Sequence, residues 1–294
     1  MADTALNAKV LNHWGLFWLV SLPMSAVMLI ARYQTDLDGA EGVSQMIGFS
    51  VRAAVPFIFI VVAIAPLHTL FTNSLTSWLL RNRKYIGFCF AVAMAWQGLF
   101  IYLMSTVHRE FYFDEIFYLR DELEGSTGYI FLALMVATSF RAGRRLLSPG
   151  QWRLLHLSAI YFLWAYPFSV YWWNLSFYDN PQFIDYVFYW MGFCAFALRI
   201  AAWGTKRFQA GTASMVQLAT GTLVTAIALG LAATGRQWQE ATSGLLTTPE
   251  WSANLELWLP FWPFEPFLPL AVLGMGVAIL THSRRQLHPN TGIS

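Results

Sequence analysis

The chain reads as an all-α membrane protein, a bundle of eight transmembrane helices. Two observations predict this. Of 294 residues, 57% are hydrophobic and only 12% charged, and the mean hydropathy is +0.48, which excludes an ordinary soluble domain. The apolar runs are also separated by loops of alternating sign: Arg81, Arg83 and Lys84, an acidic loop, Arg141, Arg144, Arg145 and Arg153, then Asp179, then Lys206 and Arg207, a second acidic loop, and Arg284 and Arg285. All but Asp3 of the 16 acidic residues fall on one side of the membrane so defined. Lys and Arg near span ends resist translocation, so the expected place is a bacterial inner membrane, with both termini cytoplasmic.

In order, the predicted spans are Trp14–Ala31, Val51–Phe71, Ile86–Val107, Thr127–Phe140, Leu154–Trp173, Phe183–Trp203, Ala213–Ala233 and Pro266–Thr281. Helices are required, because an open strand leaves backbone groups unpaired in lipid, and about 20 residues cross ~30 Å of hydrocarbon. No small-residue cleavage site follows the first span, so it reads as retained. Pro23 and Pro167 should kink their helices. The fourth span is short and borrows residues from Leu123 onward. The seventh is rich in Gly221, Thr225, Ala228, Gly230 and Ala232, which permits close packing within the chain or on a partner.

Two outer loops stand out. His108–Ser126 carries Glu110, Asp114, Glu115, Asp121, Glu122 and Glu124 among aromatics and is expected to lie along the interface as a short amphipathic helix. Thr234–Glu265 ends in a run of Pro and aromatic residues from Trp258, expected to lie flat among the headgroups. Arg52, Arg199 and Asp185 sit near span ends, where they can snorkel, and no carboxylate is expected at mid-membrane, which argues against a proton relay or cation-coupled transporter. Cys89 and Cys194 lie inside spans, giving neither a structural disulfide nor a metal motif. There is no P-loop or dinucleotide fingerprint, and the basic residues are spread over loops and form no nucleic-acid patch.

Four stretches carry a resemblance: Ala65-Pro-Leu-His68; Leu80-Arg-Asn-Arg-Lys-Tyr-Ile-Gly87; Thr127-Gly-Tyr-Ile-Phe-Leu-Ala-Leu-Met-Val-Ala-Thr-Ser139; and Arg144 through Tyr161, within which Trp152, His156 and Tyr161 are the most specific part. In this order they resemble the ferric-reductase-like transmembrane domain, and within it the heme-binding membrane subunit of the bacterial periplasmic methionine-sulfoxide reductase system. The resemblance implies a six-helix core within residues 1–205; the two further spans, a C-terminal extension over 206–294, have no counterpart in that subunit. It also implies heme b, held by axial imidazoles and passing electrons across the membrane.

Two of the three expected ligand positions are changed. The third span should carry His ten residues after Gly87, where this chain has Gln97, and the fifth should carry His thirteen after His156, where it has Ser169. Gln97 lies about 20 Å beyond Lys84 and Ser169 about 24 Å beyond Arg153 along their helices, so an outer heme would lose both ligands together. An inner heme between His68 and His156 is conceivable in depth; the opposing reading is that His156 bonds a backbone carbonyl or Tyr161 while His68 is interfacial. His13, His108, His282 and His288 read as solvated, and the aromatic stripes as packing.

Two functions follow. One is a scaffold or partner-binding subunit that has lost the heme path, using the Pro/aromatic loop or the seventh and eighth helices to hold a protein partner and lipid around the rest. The other is a b-type electron-transfer subunit fed by a cytoplasmic flavoprotein or quinone. In either case the chain is at most a non-catalytic or electron-transfer subunit of an oxidoreductase.

Overall fold

A computed structural model describes residues 8–207, 214–247 and 250–282, and every regular element among them is helical. The helices are α1 (Trp14–Gln34), α2 (Ala40–Leu70), α3 (Ser74–Val107), α4 (Leu119–Thr138), α5 (Pro149–Phe177), α6 (Phe183–Arg207), α7 (Met215–Ala233), α8 (Gly235–Leu246), α9 (Glu250–Trp258) and α10 (Leu268–Leu280). Six of them, α1, α2, α3, α5, α6 and α7, are long and apolar enough to cross a membrane. The fourth and eighth predicted spans fall short of that measure. α4 begins with Arg120, Asp121, Glu122 and Glu124, and α10 has 13 residues, about 20 Å of rise.

Local sequence fixes the helix starts. Asn73 and Ser148 each accept a backbone N–H three residues on, while the Thr76 and Gln151 side chains reach back, closing two capping boxes. Pro149 sits at the first position of α5, where its missing N–H costs nothing. Inside α2, Pro66 has no N–H for the Val62 carbonyl four residues back. That carbonyl accepts from Arg199 Nη1 at 3.5 Å, and its neighbour, the Val61 carbonyl, accepts from Arg83 Nε at 3.1 Å.

Hydrogen bonds between connections define the two ends of the bundle. At one, Trp78 Nε1 donates to the Leu11 carbonyl, the His13 N–H donates to Asn82 Oδ1, and Lys84 Nζ donates to the Ser139 carbonyl. At the other, His108 Nε2 meets the Leu37 carbonyl, Arg236 pairs with Asp179, and Arg120 pairs with Glu256. All the acidic residues among the described ones belong to the second, acidic end except Glu265, which is buried within the bundle.

α2 packs along α3 and α6, and α5 packs on α2, α4 and α6, whereas α3 and α5 make no extensive contact with each other. The two therefore lie diagonally across a ring completed by α2 and α4. Phe59, Phe168, Tyr189 and Phe193, all nearly inaccessible, fill the side of the core shared with α6. Outward faces of α1 and α7 expose Leu22, Ile30, Leu223 and Leu229, an apolar surface suited to lipid.

Several expectations are corrected. The acidic stretch predicted to lie along the interface is in part the opening of α4, preceded by short helical turns at Arg109–Phe111 and Tyr112–Ile116; carboxylates in a first turn suit the positive end of the helix dipole. The Thr234–Glu265 segment forms α8 and α9, and its aromatic end does not stay among the headgroups but turns inward, with Phe261 5.0 Å from Phe162 and Phe267 5.7 Å from Phe168, ring centre to ring centre. Asp185 does not snorkel. It is buried, accepting from Asn174 Nδ2 at 3.2 Å and the Gln182 N–H at 2.8 Å. His108 is bonded, as above. Of the two packing partners open to the small residues of the seventh span, the structure gives the one within the chain, α10: a Cβ on Gly276 would stand 2.9 Å from the Thr225 nitrogen, and one on Gly221 2.6 Å from Leu280 Cγ.

Candidate functional site

Two cavities occupy the ring. The one toward the acidic end is about 330 Å³ and is lined by Met94, Gln97, Tyr129 and Tyr166, with Asp121, Glu122 and Glu124 around it. The one toward the basic end is about 630 Å³ and carries Arg83, Lys84, Thr138, Arg144, His156 and Arg199 among its walls. Phe90 and Leu163 line both and lie between them.

Each residue singled out in the sequence has an identifiable setting. The Gln97 Oε1 accepts from the Tyr129 hydroxyl at 3.0 Å and faces the acidic-end cavity. Ser169 is not in that wall. It is buried, and its hydroxyl donates to the Tyr166 carbonyl one turn back at 2.8 Å. His156 faces the basic-end cavity with Nε2 2.9 Å from Thr138 Oγ1. The Thr138 hydroxyl donates to the Leu134 carbonyl at 2.6 Å, so its oxygen is the acceptor and the imidazole Nε2 carries the proton. Trp152 completes the cluster: its ring lies 4.1 Å from that of His156, its Nε1 donates to the Thr138 carbonyl, and the Arg144 guanidinium covers its other side at 3.9 Å.

His68 is elsewhere. Its Nδ1 is 3.2 Å from Thr76 Oγ1 at the α2–α3 corner, and it is not part of the cavity that His156 faces. The structure thus brings neither Gln97 and Ser169 nor His68 and His156 to a common cavity wall. These residues do not fit an axially ligated heme. Gln97 and Ser169 are weak iron donors, and the imidazoles are engaged in separate local networks.

At the acidic end, the Phe261 N–H donates to Glu124 Oε1 at 2.9 Å, tying the aromatic return to the start of α4. Burial pushes the Glu124 carboxyl above its usual range against the pull of that bond and of Arg120. Burial, reinforced by the Glu122 carboxylate, pushes the Tyr112 phenol up to about 12.

Reading the sequence missed Glu265. It is fully buried in the turn ahead of α10, and neither carboxylate oxygen has a hydrogen-bond partner. The Thr242 and Ser243 hydroxyls stand near it: Thr242 donates to its own helix, whereas Ser243, which accepts from Gln239, keeps its own O–H for the carboxyl group. Pro residues on both sides of Phe264-Glu265 were the available signal for a turn, though not for its direction.

Comparison with protein-family models, with curated proteins and with solved structures finds no match.

Proposed function

We propose that this chain is a scaffold or partner-binding subunit of a bacterial inner membrane, with a ferric-reductase-like core of six helices plus two more, that has lost the transmembrane heme path. The observation that carries this reading is the local satisfaction of the relevant side chains. Gln97 is bonded to Tyr129, Ser169 to its own helix, and His156 to Thr138. A bis-imidazole site needs two ring nitrogens aimed at one cavity from opposite walls, and no such pair meets here among the described residues. The partner-binding side is the acidic end, where α9 presents Trp251 and Trp258 to the outside and Glu124 and Arg120 brace the surrounding segments.

The test is electron transfer in sealed proteoliposomes. With a reduced flavin enclosed and ferricyanide outside, the protein should give no more reduction than empty vesicles. A protein-dependent rate abolished by His68→Ala or His156→Ala would establish the b-type electron-transfer reading in its place.

A further inference from the structure

The basic-end cavity has a composition that a scaffold does not require. Seven cationic side chains line it and no carboxylate does. Its other walls are apolar, including Ile58, Leu132, Met135, Ile160 and Leu163. Arg83 and Arg199 are half-buried, where like charges repel more strongly than in water, and the exposed cations at the rim add to that field, so the arrangement persists at a cost unless an anion offsets it.

Two of these cations are built into the walls. Arg83 on α3 and Arg199 on α6 converge on adjacent carbonyls of α2, those of Val61 and Val62, the second exposed by Pro66. Each guanidinium thus has one N–H anchored on backbone, which fixes its position and leaves most of its five donors to other acceptors. The face of Tyr161 backs Arg199 at 4.8 Å. Nearer the rim, Lys84 lies beside the stacked pair of Phe88 and Phe140, 5.4 and 5.1 Å from their ring centres, and Arg144 lies over Trp152. Arg141 and Arg153 are exposed beside them. All four side chains supporting these charges are aromatic, so none neutralises the charge it supports.

We propose that this cavity is a binding site for a phosphate-bearing lipid, its headgroup held by the Arg83–Arg199 pair and the rim cations and its chain lying against the apolar wall. Guanidinium forks match phosphate oxygens two at a time, and basic pockets between membrane helices are suited to anionic headgroups. A free phosphate would use the cations but not the apolar wall, and a neutral lipid would use the wall but leave the cations uncompensated. The site is independent of the scaffold reading: it uses neither Gln97 nor Ser169.

The test is native mass spectrometry of the full chain in detergent, titrated with phosphatidylglycerol, cardiolipin or phosphatidylcholine, and with inorganic phosphate or pyrophosphate as competitors. A single lipid adduct should form at least tenfold more readily with the anionic lipids than with phosphatidylcholine, and millimolar phosphate should not displace it. Arg83→Gln with Arg199→Gln should abolish the preference. Should that pair fail to fold, Arg144→Gln with Arg153→Gln, both exposed, should weaken it. The control is Arg145→Gln with Lys206→Gln, which removes the same charge outside the cavity wall and should leave binding intact. Equal weakening by the control would reduce the effect to general surface charge and overturn the site. Displacement by inorganic phosphate would reassign the cavity to a free anion, and equal adducts with phosphatidylcholine would remove any role for the cations.

Discussion

At the scale of single residues, Glu265 is the most demanding group in the molecule. A buried carboxylic acid with no cation beside it is tolerable when neutral and costly when charged. Glu265→Gln, similar in shape and uncharged, should change stability by no more than about 1 kcal/mol, whereas Glu265→Lys should cost at least about 3 kcal/mol or prevent folding. Thermal unfolding in detergent measures both, and equal loss in the two variants would mean that volume, not charge, governs the position. Glu124 gives a pH signature. Its carboxyl is raised above the reference 4.5, so between that value and the raised one the folded chain binds more protons than the unfolded chain. Its stabilising contribution is complete below the unfolded value and is lost as pH rises through the folded one. Glu124→Gln keeps an oxygen for the Phe261 N–H, and the melting temperature measured from pH 4.5 upward should lose that part of its decline.

At the scale of elements, α7 and α10 provide the sharpest case. Gly276 sits against the backbone of Thr225, closer than any Cβ is accommodated without movement. Gly276→Val should destabilise the chain by about 1–3 kcal/mol through overpacking and loosen the last helix, which limited proteolysis of the C-terminal segment would detect. The richness in small residues was legible in the sequence, but its partner was not, because composition gives a face and not the direction it points. The same limit explains the aromatic return. Proline density from Trp258 onward correctly excludes a long helix, yet hydropathy alone puts Phe261 and Glu265 at the surface, and only tertiary packing carries them inward. The start of α4 was missed for a different reason. The charged stretch expected as a separate helix along the interface is in part the N-terminus of α4 itself, where carboxylates are favoured.

At the scale of the whole molecule, charge segregation and apolar length made the helical membrane bundle legible, since both are set by composition over many residues and survive local error. The site was less legible. Ring nitrogens of His68 and His156 can be placed at similar depth by counting, but the hydroxyls of Thr76 and Thr138 that engage them lie on separate elements. The charge asymmetry predicts that a single cysteine placed at Arg144 stays protected from impermeant maleimide in intact cells, while one at Asp114 labels; the reverse pattern would invert the proposed orientation. The proposed loss of a heme path is tested most directly by the heme content of the full chain, purified from cells supplied with excess heme and assayed as the reduced pyridine complex. The arrangement of Gln97, Ser169, His68 and His156 predicts well below one heme per chain, unchanged in His68→Ala and His156→Ala. Stoichiometric b-type heme with a low-spin reduced spectrum would contradict it.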